Sequence, residues 1–243
     1  MIEHEIDIST TAGAMNTFIT HPEEGGPFPA VLFFMDAPGK REELHDMARR
    51  LAAVGYYVML PNLYYRRVRE FVMTPDARAQ MFEHMNSLSN AMVCEDTRSL
   101  LQHLDADPAA AAGPIGVVGY CMSGPFAFAA ACAFPGRVAA AASLHGVRLC
   151  TEAEDSPHRQ ADRVRGELYF GCAQTDEWAP PEMITALERH LTDVGANYRV
   201  EWYPDTHHGF VFPQRPTVYD KAAAERHWER LFALFERNLK VRR

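Results

Sequence analysis

"VVGYCMSGPFAFAAA", residues 117 to 131, decides how the rest of the chain is read. Val117 and Val118 end a short apolar run suited to a buried strand, and the alanines after Pro125 suit a helix. Only a tight Gly-Tyr-Cys-Met-Ser-Gly turn separates them, with Cys121 at its sharpest point. A cysteine ordinarily behaves as a small buried hydrophobe, and no turn requires one. Cys121 is therefore either incidental packing or the reason the turn exists.

Outward from this turn the chain alternates strands and helices. "IEHEIDI" (2–8) has the polar–apolar alternation of a half-exposed strand, and "MNTFITHP" is its hairpin partner across "TAG". "PAVLFFM" (29–35), "YYVMLPN" (56–62) and "PIGVVGY" (114–120) are continuous apolar runs, as in strands covered on both faces. "VAAAASLHG", "GELYFGCA" and "NYRVEWYP" read as three further strands. Between them lie helical stripes: "REELHDMARRLAAVG", "MSGPFAFAAACAF", "PPEMITALERHLTDVG" and the closing "YDKAAAERHWERLFALFERNL". A long helical stretch from about Asp76 to Asp107 is interrupted by the weak helix former "NSLSN" and reads as two helices. Trp228, Leu231, Phe232, Leu234 and Phe235 of the closing helix read as core. This order implies right-handed crossovers and a mostly parallel central sheet flanked by helices on both faces, one α/β domain over residues 1–243.

The totals exclude several classes. A 243-residue chain that is 47% hydrophobic can bury a substantial core. Its net charge of −8 argues against a nucleic-acid partner, because phosphate contacts need a basic face. No basic N-terminal region precedes an apolar stretch, and no segment is long enough to suggest a membrane span. The five cysteines are odd in number and lack metal-ligand spacing, so reduced thiols, a cytoplasmic location and no metal are expected.

In open parallel sheets ligands sit beyond the carboxyl ends of the strands, where Cys121 lies. Gly119-x-Cys121-x-Ser123-Gly124 resembles the nucleophile elbow of the α/β-hydrolases, with cysteine as nucleophile and serine in place of the last glycine. In that arrangement the acid and then the histidine follow in chain order, each after a later strand. Asp176 follows "GELYFGCA", and His207 and His208 follow "NYRVEWYP". An imidazole can take the thiol proton, and a carboxylate on its other nitrogen fixes the tautomer. Asp176 has a second reading as a cap for the helix that begins at "PPEM".

On these residues the chain resembles the dienelactone hydrolase family from "VLFFMDAPG" (31–39) to the final helix. The resemblance rests on Gly-Tyr-Cys-x-x-Gly, on Asp-x-x-x-Pro at Asp176, on "LPNLYYR" (60–66), and on His208-Gly209-Phe210, which selects His208 over His207. It implies an α/β-hydrolase fold, a Cys121–His208–Asp176 triad, and ester or lactone cleavage without a cofactor. It also implies oxyanion donors at the Ala37 and Met122 N–H groups. Asp36 stands where the family carries an acidic residue against the cysteine, one methylene shorter than the usual glutamate.

Two arginines that hold a substrate carboxylate in the dienelactone-cleaving members correspond here to Met81 and Phe212. Their loss implies a less charged, more apolar small-molecule ester or lactone, since charge-assisted clamps are gone. Arg66 and Arg78 are nearby cations whose placement the spacing does not give. His145, at the end of the sixth strand, reads either as a substrate contact or as a satisfied structural histidine. Arg148 reads as a solvated loop residue, and Trp178 as packing over the pocket mouth or as structural. Two other functions remain open at this stage: a reactive-cysteine redox sensor or binding protein without turnover, and the same triad acting on thioesters or organophosphates.

Overall fold

The computed structural model describes residues 1–240; the expected domain boundary at 243 lies outside the described residues. Eight strands form one sheet: β1 (Ile2–Thr10), β2 (Gly13–His21), β3 (Ala30–Phe34), β4 (Tyr57–Pro61), β5 (Ile115–Tyr120), β6 (Val138–Leu144), β7 (Glu167–Thr175) and β8 (Tyr198–His207). Their order across the sheet is β1-β2-β4-β3-β5-β6-β7-β8. The β1–β2 and β2–β4 pairs are antiparallel, and every pair from β4 to β8 is parallel. This is the mostly parallel sheet of an α/β-hydrolase fold.

The helices are α1 (Glu42–Ala52), α2 (Arg78–Asn86), α3 (Asn90–Ala106), α4 (Gly124–Ala133), α5 (Pro181–Asp193) and α6 (Lys221–Leu239). Strands β3, β4 and β5 are buried along their whole length, which is why they carry no polar alternation. Helix α6 packs on β5, β6 and β7, with Phe235 filling the space that Gly116 leaves open. Helices α1 and α6 meet through Arg50, whose guanidinium lies 4.9 Å from the Trp228 ring and pairs with Glu225.

The "NSLSN" interruption does separate α2 from α3, and its Ser89 then becomes a cap: its Oγ accepts the Met92 N–H at 3.2 Å. Asp220 caps α6 in the same way through the Ala223 N–H at 2.7 Å. Such caps stabilise a helix by about 1 kcal/mol each. Two strands run further than their apolar patterns indicate. β7 continues to Thr175 and β8 through Pro204 to His207, across an irregularity in register near Ala173 and a left-handed Asp205 at φ +56°. The β8 extension carries no apolar pattern because Pro204, Asp205 and His207 are exposed and only Thr206 is buried.

Candidate active site

Strand β5 ends at Tyr120 and α4 begins at Gly124, so the chain must reverse within three residues. It does so by placing Cys121 at φ +55°, a left-handed conformation that costs a non-glycine residue about 1–2 kcal/mol. Neighbouring small residues make the turn possible. A Cβ on Gly119 would collide with the Ser123 carbonyl, and one on Gly124 would collide with Ser143 Oγ and the Gly146 backbone. The Cys121 carbonyl accepts the Val147 N–H at 3.2 Å, tying the turn to the loop after β6. The half-buried Cys121 lines a cavity of about 410 Å³ together with His208.

The extra residues of β7 and β8 bring the next two groups together. Thr175 and His207 are register partners, so the residues that follow them, Asp176 and His208, emerge side by side. His208 Nδ1 lies 2.8 Å from Asp176 Oδ2. Asp176 Oδ1 accepts the Trp178 and Ala179 N–H groups at 2.9 and 3.1 Å. Asp176 is therefore not the cap of α5, whose N-cap is Pro180 with no side-chain bond; one of its oxygens orders the turn before the helix and the other contacts the imidazole. Burial disfavours charge on His208, but its hydrogen bond to the Asp176 carboxylate and the neighbouring Cys121 sulfur outweigh it and raise its pKa to about 10.

The loop after β3 supplies the opposite wall. Ala37 lines the cavity, and Asp36 is fully buried beside it. The carboxylate oxygens of Asp36 bond to Arg41, at 2.5 Å, and to Arg215. Arg41 also pairs with Glu43 at 2.6 Å, and Glu43 accepts the Gln214 N–H at 2.7 Å. Two arginines and two carboxylates thus form a compensated network. Among the described residues, no hydrogen bond joins Asp36 to Cys121; its carboxylate instead ties the loop after β3 to Arg41 and Arg215.

The remaining expected residues separate. Met81 lines the cavity, as do Met73, Phe82, Met85, Val147 and the exposed Trp178, whose ring lies 6.0 Å from Phe82. Phe212 does not line it; it is buried behind the site under Arg215, 4.5 Å from guanidinium to ring centroid. His145 is also absent from the lining. It is fully buried at φ +38°, 4.8 Å edge-to-face from the His208 ring, with no hydrogen-bond partner on either nitrogen among the described residues. Burial, reinforced by His208 and Arg215, pushes its pKa well down and keeps it neutral.

Arg66 is tied to Asp96 and lies away from the cavity, whereas Arg78 and Arg148 line it. Arg148 is exposed, as a solvated loop residue would be, yet its left-handed turn at φ +53° also puts it on the cavity wall. Arg215 was not anticipated. Its link to Asp36 spans 179 positions and leaves no local signal in "PQRPTVY". A larger open groove of about 1460 Å³ lies at the amino ends of the strands, lined by Phe28, Val54 and Leu239 among others, and none of the expected catalytic side chains lines it. No cluster of three or more His, Cys, Asp or Glu side chains able to hold a metal ion occurs among the described residues. No helix among them is long and apolar enough to cross a membrane.

Comparison with known proteins agrees with this architecture. A model of the dienelactone hydrolase family matches residues 15–239. A carboxymethylenebutenolidase of Rhodococcus opacus is 26% identical over 222 residues, covering 89% of this chain and 84% of its own. Among solved structures, m3DLH superposes with a TM-score of 0.86 at 22% identity, covering 98% of this chain and 99% of its own. A dienelactone hydrolase-like promiscuous phosphotriesterase from metagenomic libraries gives 0.84 at 19% identity, covering 98% and 99%. At these identities the two structural likenesses speak for the fold.

Proposed function

We propose that this chain, which belongs to the dienelactone hydrolase family and is an ester- and lactone-cleaving hydrolase of that type, works through a thioester formed on Cys121. The observation that carries the reading is the meeting of Cys121 and His208 at one cavity, with Asp176 behind His208 and 2.8 Å from its Nδ1. His208 takes the thiol proton, and the thiolate attacks the substrate carbonyl carbon. The oxyanion is received by the Ala37 and Met122 N–H groups. As the tetrahedral intermediate collapses, the C–O bond breaks and His208 returns the proton to the leaving alkoxide. Water, deprotonated by His208, then attacks the thioester. The acid departs, and the proton goes back to the thiolate.

This sequence of steps makes the acylated enzyme observable. Intact-protein mass spectrometry during turnover of p-nitrophenyl butyrate is expected to show one acyl adduct, mapping to Cys121 after digestion. Turnover with no adduct at any time, under conditions that give a burst of nitrophenol, would rule the thioester out.

The apolar wall formed by Met73, Met81, Phe82, Met85, Val147 and Trp178 supports a substrate more apolar than dienelactone. Arg78, Arg148 and Arg215 supply the only charged side chains on that wall besides His208 among the described residues, and Arg215 is committed to Asp36. On this basis kcat/KM rises from p-nitrophenyl acetate to the butyrate by roughly fourfold per methylene, about 0.8 kcal/mol each. The valerate is also expected to outrun the anionic hemisuccinate of similar length. A faster hemisuccinate would mean that Arg78 and Arg148 govern selection and would overturn the apolar assignment.

A further inference from the structure

The peptide joining Asp36 to Ala37 carries the N–H that the proposed mechanism aims at the oxyanion. Three successive carbonyls around that peptide each receive one hydrogen bond, and the donors come from three different places. Met35 C=O accepts from Ser123 Oγ of the elbow. Asp36 C=O, the other end of the same peptide, accepts from the Gly39 N–H at 2.9 Å. Ala37 C=O accepts from Tyr64 Oη at 2.8 Å. Because a peptide is planar, holding its carbonyl and both flanking carbonyls fixes where its N–H points.

Tyr64 has a second contact that matters. Its Oη also lies 3.2 Å from Met122 Sδ, so one phenol touches both residues whose N–H groups form the hole. The hydroxyl has a single hydrogen, and the carbonyl is the stronger acceptor. The sulfur contact then acts as packing that sets the distance between the two donors. Tyr64 and Ser123 are both buried, at 1% and 0% exposure, so water does not compete for these bonds.

The arginine-rich loop after β4 is what delivers Tyr64. Asn62 Oδ1 accepts the Tyr64 N–H at 3.0 Å, and its Nδ2 lies within 3.0 Å of Asn16 Oδ1 and of the Val68 and Arg69 carbonyls. Phe71 and His84 pack against the Tyr64 ring at 6.2 and 5.2 Å between centroids. The phenol is held from both ends, which is what a positioning group requires.

We propose that Tyr64 and Ser123 are positioning residues of the oxyanion hole, locking the Asp36–Ala37 peptide so that its N–H is aligned with that of Met122. The inference rests on the proposed function. It also accounts for serine at the elbow position where the α/β-hydrolase pattern has glycine: the hydroxyl ties the nucleophile turn to the opposite wall.

The test compares an oxoester with its thionoester, whose sulfur accepts hydrogen bonds poorly and so draws little from the hole. Tyr64→Phe is expected to lower kcat for the oxoester about tenfold, with KM within about twofold, because a misaligned donor forfeits part of the 10²–10³ that a whole donor supplies. The thionoester rate should fall much less, so the oxo-to-thiono ratio of kcat/KM drops several-fold. Ser123→Ala should move the ratio in the same direction.

A merely structural role, or a partly unfolded preparation, scales both rates together and leaves the ratio unchanged. That result in both variants overturns the inference. Acyl-adduct formation on wild-type Cys121 is followed in parallel. An unchanged ratio in an enzyme that forms the adduct overturns only the positioning roles, whereas a wild type that turns over without any adduct overturns the thioester reading and this inference with it.

Discussion

Replacing Cys121 with alanine is expected to lower kcat/KM for p-nitrophenyl butyrate by roughly 10⁴–10⁶-fold, leaving only the rate that binding and the oxyanion hole sustain. The fold should tolerate the change, since alanine keeps the Cβ and meets the same left-handed backbone that cysteine already occupies at φ +55°. The other four cysteines offer no substitute nucleophile. Burial pushes the thiols of Cys94, Cys132 and Cys172 up to about 11, 12 and 12, and raises that of Cys150. Rapid labelling by iodoacetamide at neutral pH should therefore reach Cys121 and vanish in the variant. Retention of activity within tenfold of wild type would remove Cys121 from the mechanism.

The second large effect concerns the acid. Asp176→Asn should cost roughly 10³–10⁴ in kcat, because the carboxamide neither stabilises the imidazolium nor enforces the same tautomer. The substitution is close to surgical. The retained oxygen can still accept the Trp178 and Ala179 N–H groups, so the approach to α5 stays ordered. It also has a direction in pH. Burial alone would lower the His208 pKa, and the hydrogen bond His208 makes to Asp176, with the neighbouring Cys121 sulfur, carries it up to about 10. The charge on His208 is thus lost as pH rises through that value. Removing the Asp176 charge lowers the His208 pKa, so the alkaline limb of the rate profile moves to lower pH in the variant. The measurement is kcat/KM across the alkaline range for both proteins; superimposable limbs would contradict the assigned pairing.

What the sequence disclosed about this site follows from which interactions are local. The elbow is legible because its geometry is set within six residues: Gly119, Cys121, Ser123 and Gly124 are small or reactive where a tight strand-to-helix turn demands it. The buried strands are legible because coverage on both faces enforces continuous apolar runs. The juxtaposition of Asp176 and His208 was legible only as an order of residues after two strands. The contact itself depends on β7 and β8 pairing onward to Thr175 and His207, through a proline and a left-handed aspartate that resemble the end of a strand.

Long-range ion pairing was illegible. The Arg41–Asp36–Arg215 cluster joins residues with no shared periodicity, and counting forward from the histidine found Phe212 rather than Arg215, three residues later. For His145, the sequence left a substrate contact and a structural role open. A polar residue at a strand's carboxyl end suggests a pocket contact, but here the chain turns it inward against His208, Phe210 and Phe212.

The position of β8 at the rim of the sheet carries a consequence for how activity and folding are linked. Among the described residues this strand has a neighbour on one side only, and His208 at its end, the proposed base, is separated from Cys121, the proposed nucleophile, by 87 positions along the chain. Edge elements open with less free energy than central ones, so fraying of β8 away from β7 would part His208 from Asp176 while β3, β5 and the cysteine turn remain native. On the proposed mechanism, activity is then expected to fall under mild denaturant before the central strands unfold.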